Sequence, residues 1–275
     1  MLDYEAEYNN RRRVPEHVEI AERWLLLSSA YRLAGNTELD QPYGARERHR
    51  YDLFHAEAAD APLVAYIHGG YWQRGDRKDY SFVARELNAA GVTVAIPSYT
   101  LGPAVSVMEI AEEMQACMAA LWRKTGKRPM VIGHSAGGHL TAEMLARSWN
   151  QPGVPADLVR YGYAISGVFD LAPLIDTSIN DALGLTKGTA RAASPLFRAP
   201  PAKGRRMVAA VGGAESEEFL RQSRELTEAW SRVGVDATCE VIAGANHFTV
   251  VDELVRPDSD MLKRIVLMAH ESDLA

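Results

Sequence analysis

Ser135 lies at the centre of Gly133-His134-Ser135-Ala136-Gly137, a Gly-x-Ser-x-Gly pattern. A serine hydroxyl becomes a useful nucleophile only when it is exposed and a neighbouring base can take its proton. The apolar run Met130-Val131-Ile132 leads into Gly133, and a helical pattern follows Ser135 to about Ser148. That strand–turn–helix setting is the one a nucleophile elbow requires, with glycines at 133 and 137 where backbones come close. The helix N-terminus behind the serine favours developing negative charge. Chance supplies the five-residue pattern in about one chain in ten of this glycine and serine content, so the assignment needs partners.

The first partner is an anion site. His68-Gly69-Gly70-Tyr71-Trp72 follows directly on the apolar run Leu63–Ile67. Acyl transfer needs backbone N–H groups aimed at a tetrahedral oxyanion, and glycines let amides rather than side chains face it. The expected donors are the N–H groups of Gly70, Tyr71 and Ala136. His68 and Gly69 are read as ordering the loop, not as titrating in catalysis. Trp72 is a candidate for the substrate pocket, packing beneath the loop being the equal alternative.

The second partner is a base with its orienting acid. On an α/β sheet the chain order is nucleophile, acid, histidine. After Ser135 only His139, His247 and His270 remain. His139 is one turn along the nucleophile helix and His270 sits in a terminal helical pattern. His247 follows the strand pattern 237–242 and the loop Ala243-Gly244-Ala245-Asn246, the place for a base. The acid should follow the strand pattern 207–211, where Glu215 comes first after Gly212-Gly213. Glu217 and Glu218 suit the first turn of a helix, and Asp236 is the competitor in a turn. Activity should therefore fall as pH drops through the histidine range.

The elements that position these groups alternate. Helical patterns are expected at about 15–34, 78–90, 105–125, 136–148, 216–233 and 257–270. Strands are expected at 63–67, 92–96, 130–132, 161–165, 207–211 and 237–242, with 35–48 polar and turn-rich. Alternation of this kind implies a mainly parallel sheet with right-handed crossovers. The expected fold is α/β, of the α/β-hydrolase type: about eight strands, helices on both faces, and a small N-terminal helical extension. One domain over 1–275 is expected, with 1–40 as the N-terminal helical segment and 166–200 as a cap region. Phe169, with Leu171, Leu174, Ile175 and Leu185, is a candidate apolar wall for substrate; ordinary packing is the alternative.

Composition narrows the partners. The chain has 275 residues and a net charge of −6, from 30 basic and 36 acidic residues. A phosphate-binding surface needs the opposite balance, so nucleic acid is not expected. Two cysteines, Cys117 and Cys239, offer neither a disulfide framework nor metal-ligand spacing. A reducing cytoplasm, buried thiols and no metal or cofactor are expected. Neither a signal-peptide core nor a run long enough to span a membrane is evident. The expected partner is a small-molecule substrate, with homodimer formation left open.

Together, His68–Trp72, Gly133-His134-Ser135-Ala136-Gly137-Gly138-His139, Ser166-Gly167-Val168-Phe169-Asp170-Leu171, Glu215–Ser223 and Asn246-His247-Phe248 make the chain resemble a known family. It is similar to the α/β-hydrolase type of kynurenine formamidase (arylformamidase), a relative of the hormone-sensitive-lipase-like esterases, from about residue 40 onward. The resemblance implies Ser135 as nucleophile, Glu215 as acid and His247 as base, with oxyanion donors from 69–71 and Ala136. It also implies hydrolysis of N-formylkynurenine to kynurenine and formate through a formyl-enzyme. One departure is Glu215, where such proteins often carry aspartate. Two other readings stand beside it: a general carboxylesterase or thioesterase using the same groups, and a non-catalytic binding protein on the same fold.

Overall fold

The computed structural model describes residues 2–34 and 36–274, so Met1, Gly35 and Ala275 of the expected 1–275 domain lie outside the described residues. Its centre is an eight-stranded sheet in the order β1-β2-β4-β3-β5-β6-β7-β8. The strands are β1 (Thr37–Pro42), β2 (Arg50–Phe54), β3 (Leu63–Ile67), β4 (Thr93–Pro97), β5 (Met130–His134), β6 (Tyr161–Ile165), β7 (Arg206–Gly212) and β8 (Asp236–Ile242). β3 to β8 pair in parallel, and β1 and β2 form an antiparallel edge. β1 falls in the stretch expected to be turn-rich. Its Thr37–Pro42 sequence alternates no apolar residues and is recruited by pairing with β2 rather than by its own pattern.

Two apolar layers sandwich the sheet. Ala65 and Ile67 of β3 enter one cluster and Val64 and Tyr66 the other. Every residue of β3 and β5 is buried, which is why both read as continuous apolar runs rather than alternating ones. The helices are α1 (Tyr4–Tyr8), α2 (Asn10–Arg13), α3 (His17–Ala34), α4 (Ala84–Ala89), α5 (Val107–Thr125), α6 (Ala136–Ala146), α7 (Asn180–Leu183), α8 (Lys187–Ala192), α9 (Glu217–Ser231) and α10 (Asp260–Leu274). α5 shows its limits in sequence. Ser106 and Glu109 form a reciprocal capping box, and Gly126 ends the helix in the left-handed region at φ 69°. The helix expected at 78–90 is instead a 3-10 segment, Arg77–Val83, leading into α4. A reciprocal capping box of Asp76 and Asp79 sets its start, and Arg77 Nε, donating to the buried Asp52 of β2 at 3.2 Å, pins the chain at the exit of the 68–76 loop.

From β3 the chain runs outward to β4 and then crosses back to β5 on the other side of β3. The crevice at the C-terminal ends of β3 and β5 is thus where strand order reverses, the place such sheets bind ligands. The loops carrying Gly70 and Ser135 leave the sheet side by side there.

Candidate active site

Ser135 has φ 57° and ψ −117°, a conformation that L-residues rarely adopt. Holding it costs about 1–3 kcal/mol, and close packing enforces it. A Cβ added to Gly137 would lie 1.9 Å from the Ile67 carbonyl oxygen, and one on Gly133 2.3 Å from that of Gly137. Any larger residue at either position would push the turn off β3. The elbow places Ala136 at the first position of α6, where its N–H has no intrahelical acceptor.

The 68–76 loop supplies the facing amides. Gly70 sits at φ 111°, and Tyr71 and Trp72 follow at 49° and 58°. This run of left-handed residues turns the chain so that the Gly70 and Tyr71 N–H groups make no backbone hydrogen bond among the described residues. His68 is buried between the rings of Tyr99 and Tyr80, at centroid distances of 4.4 and 5.7 Å. Its Nδ1 lies 2.8 Å from the Gly69 carbonyl, and Tyr99 Oη donates to the His68 carbonyl at 3.0 Å. Burial pushes its pKa down to about 4, so it is a neutral brace for the loop. Gly69 lies against the elbow; a Cβ there would be 3.0 Å from that of Ser135.

Glu215 and His247 meet at the ends of β7 and β8. His247 Nδ1 lies 2.6 Å from Glu215 Oε2, so the longer glutamate side chain spans to the imidazole directly. The other carboxylate oxygen accepts from the Gly212 N–H at 2.7 Å and from the Ser166 hydroxyl. Both oxygens are therefore occupied and the carboxylate has one orientation. Ser135 and His247 line one cavity, though no hydrogen bond joins their side chains among the described residues. Such contacts are often long before substrate arrives. Of the alternatives, His139 is buried, with Nε2 2.7 Å from the Ala193 carbonyl, and His270 is exposed. Asp236 pairs with Arg206 at the far end of β8, and Glu218 accepts from Tyr8 and Arg221.

Two supporting residues carried no role in the sequence reading. His134 Nε2 lies 2.8 Å from the His247 carbonyl oxygen, and burial, then the neighbouring His247, drive its pKa well below the usual histidine value. It is a neutral donor fixing the base loop. Ser166, at φ 51°, orients Glu215. Its place at the head of the Ser166–Leu171 motif was the available signal; its contact is 49 residues away in sequence.

The cavity measures about 390 Å³. Its rings come from Tyr8, Trp24, Tyr71, Tyr80 and Phe248, so the N-terminal helices form much of its roof. From the expected 166–200 cap only Ser178 and Ile179 reach it. They are tied there by Glu5, which accepts from the Ser178 N–H at 2.8 Å, and by Gln73 Nε2, which donates to the Ile179 carbonyl at 2.7 Å. Two residues expected on the wall lie elsewhere. Trp72 and Phe169 are wholly buried and neither lines the cavity. The left-handed turn at 71–72 sends the indole inward, edge-on to His139 at 5.0 Å. Gln222 Oε1 accepts from the Phe169 N–H and holds its ring against Gly167. Leu171, Leu174, Leu185 and Ile175 pack in the same core. Cys117 is buried as expected, whereas Cys239 is only half-buried.

Among the described residues no helix is long and apolar enough to cross a membrane, and no cluster of three or more metal-ligating side chains occurs. A kynurenine formamidase of Salmo salar is 29% identical over 245 residues, covering 86% of this chain and 83% of that protein. One of Danio rerio is 28% identical with the same coverage. A solved structure from Silicibacter sp. TM1040, provisionally assigned as a thioesterase, superposes with a TM-score of 0.86 at 32% identity, covering 96% of this chain and 98% of its own. An esterase of the bacterial hormone-sensitive lipase family, at 20% identity and a TM-score of 0.70, shares the fold. Residues 64–251 match the alpha/beta hydrolase fold family, and with the strand order, the elbow and its facing loop in place, this chain belongs to that family of hydrolases.

Proposed function

We propose that this protein is a serine hydrolase of aryl formamides, converting N-formylkynurenine to kynurenine and formate. The observation that carries the reading is a cavity of about 390 Å³ walled by aromatic rings, with Ser135 and His247 on its floor. That size suits an aromatic amino-acid derivative. The formamidase relatives, matched along most of both chains, support the same choice.

Ser135 Oγ attacks the formyl carbon while His247 Nε2 takes its proton. The oxyanion is stabilised by the N–H groups of Gly70, Tyr71 and Ala136. Glu215 keeps Nδ1 protonated and stabilises the imidazolium. His247 then delivers its proton to the arylamine nitrogen as the C–N bond breaks. Water, deprotonated by His247, attacks the formyl-enzyme; formate leaves and Ser135 regains its proton. An arylamine is a far better leaving group than an alkylamine, so an esterase-like site suffices. The two free cysteines, with no disulfide between them, support a reducing, cytoplasmic setting.

The second reading, a thioesterase or carboxylesterase, is favoured by the 32% identity to the Silicibacter protein. The two are separated by kcat/KM for N-formylkynurenine against short aryl and thiol esters of small acids. N-formylkynurenine is expected to win; esters leading by orders of magnitude would establish the second reading.

A further inference from the structure

Arg11 and Arg74 line the same cavity as Ser135. Arg74 belongs to the loop bearing the oxyanion amides: its N–H donates to the Gly70 carbonyl at 3.2 Å, and a Cβ on Gly70 would lie 2.8 Å from Arg74 Cγ. Arg11 comes from α2, over the roof. Nearby cations have counter-ions: Arg13 faces Glu7, and Arg48 reaches Asp76 at 3.2 Å. Neither Arg11 nor Arg74 has a carboxylate within ion-pairing distance among the described residues. Burial, and then the like charge of Arg74, lower the pKa of Arg11, so the two cations feel each other. Asp79, the acid on the cavity wall, is influenced by Asp76, Arg48 and Lys78 instead. Both side chains are exposed at the edge of the cavity, so two neighbouring guanidiniums without a carboxylate partner stand free to share one anion, and a carboxylate fits their fork geometry.

We infer that Arg11 and Arg74 form a carboxylate-binding subsite, selecting substrates whose aryl leaving group carries an acidic side chain. The inference deepens the formamidase reading and rests on it for the identity of the scissile bond. A formyl anilide with its carbonyl on the oxyanion amides would carry its ring substituents into this cavity, on whose exposed edge both arginines stand. The carboxylate replaces the missing counter-ion and anchors the leaving group.

The experiment measures kcat/KM for two substrate pairs in the wild-type protein and in Arg11→Gln, Arg74→Gln and the double variant. One pair is N-formylkynurenine and formanilide, which lacks the carboxylate. The other is 3-(4-acetoxyphenyl)propanoate and its neutral amide, which reports on the subsite through ester cleavage alone. The wild type is expected to favour the acid in each pair, and raising salt from about 0.01 M to about 0.15 M should narrow the preference. The double variant should lose about tenfold or more of that preference, with each single variant in between. Arg74→Lys, which keeps the charge without the fork, should retain part of it. Unchanged preference in the double variant for both pairs overturns the inference. If the ester pair behaves as expected but neither formamide is cleaved, the formamidase reading fails and the anion subsite stands.

Discussion

The floor and the roof of the cavity are built on opposite terms. The floor, comprising Ser135, His247, Glu215 and the braces His68, His134 and Ser166, is at least nine-tenths buried and tied by short hydrogen bonds. Much of the roof is made, beside α3, of two helices of five and four residues, α1 and α2, too short to be stable alone. A few long-range contacts hold it. Tyr8 Oη donates to Glu218 at 2.7 Å, Tyr71 Oη donates to the Tyr8 carbonyl at 2.6 Å, and Glu5 grips Ser178. A preorganised floor lowers the barrier for any acyl group that reaches it; the roof decides which molecule arrives. The comparison therefore separates rate from selectivity.

The largest effect should come from the floor. Ser135→Ala is expected to reduce kcat by about 10⁴-fold or more on formamide and ester alike, measured by product release; equal turnover by both proteins would end the nucleophile assignment. Glu215→Gln should follow, at about 10³–10⁴-fold, because an amide can hold the imidazole in the wrong tautomer. Glu215→Asp tests reach: shortened by one methylene, the carboxyl leaves either His247 or the Ser166 and Gly212 donors, and kcat should fall by about tenfold or more. An unchanged kcat would mean the loops close the gap.

Between floor and roof stands Tyr71, whose amide faces the cavity while its hydroxyl is bonded to the roof. Tyr71→Phe should lower kcat by about tenfold, the loss of one buried hydrogen bond of about 1–1.5 kcal/mol. A change confined to KM would assign Tyr71 to the roof alone.

The last effect is on stability rather than on rate. Burial pushes His68 and His139 down to about 4, while an unfolded histidine titrates near 6.5. Below about pH 6.5 the unfolded chain takes up protons that the folded chain refuses. Stability is thus full above that value and is lost as pH falls toward about 4, by up to about 1.4 kcal/mol per pH unit for each group. Denaturant midpoints at pH 7 and pH 5 would show this, and His139→Gln should shrink the difference by one group's share. An undiminished difference would remove His139 from the account.

What was legible follows the same division. Ser135, Glu215 and His247 could be picked out as candidates because the first two follow apolar strand runs, the third follows the alternating pattern of β8, and chain order does the rest. The sheet's parallel core was legible for the same reason: β3, β6 and their neighbours are buried on both faces. β1 was not, because its sequence has no strand pattern and edge pairing alone makes it one. α1 and α2 are too short for a period to appear. Trp72 and Phe169 were misplaced because an aromatic residue beside a functional loop reads alike whether it faces the cavity or the core. A pair of left-handed residues sent one inward, and a glutamine 53 positions away held the other.

By itself, then, the amino-acid sequence determined the candidates for the chemistry: glycines where backbones must touch, a serine on a turn, an acid and a base proposed at successive strand ends. Those are local demands of sterics and proton transfer, written in neighbouring residues. Only the tertiary structure decided which side chains enclose the substrate. That choice depends on distant segments brought together: Arg11 and Arg74 line one cavity, and Tyr8, also on its wall, is held by Glu218. No spacing along the chain encodes such meetings.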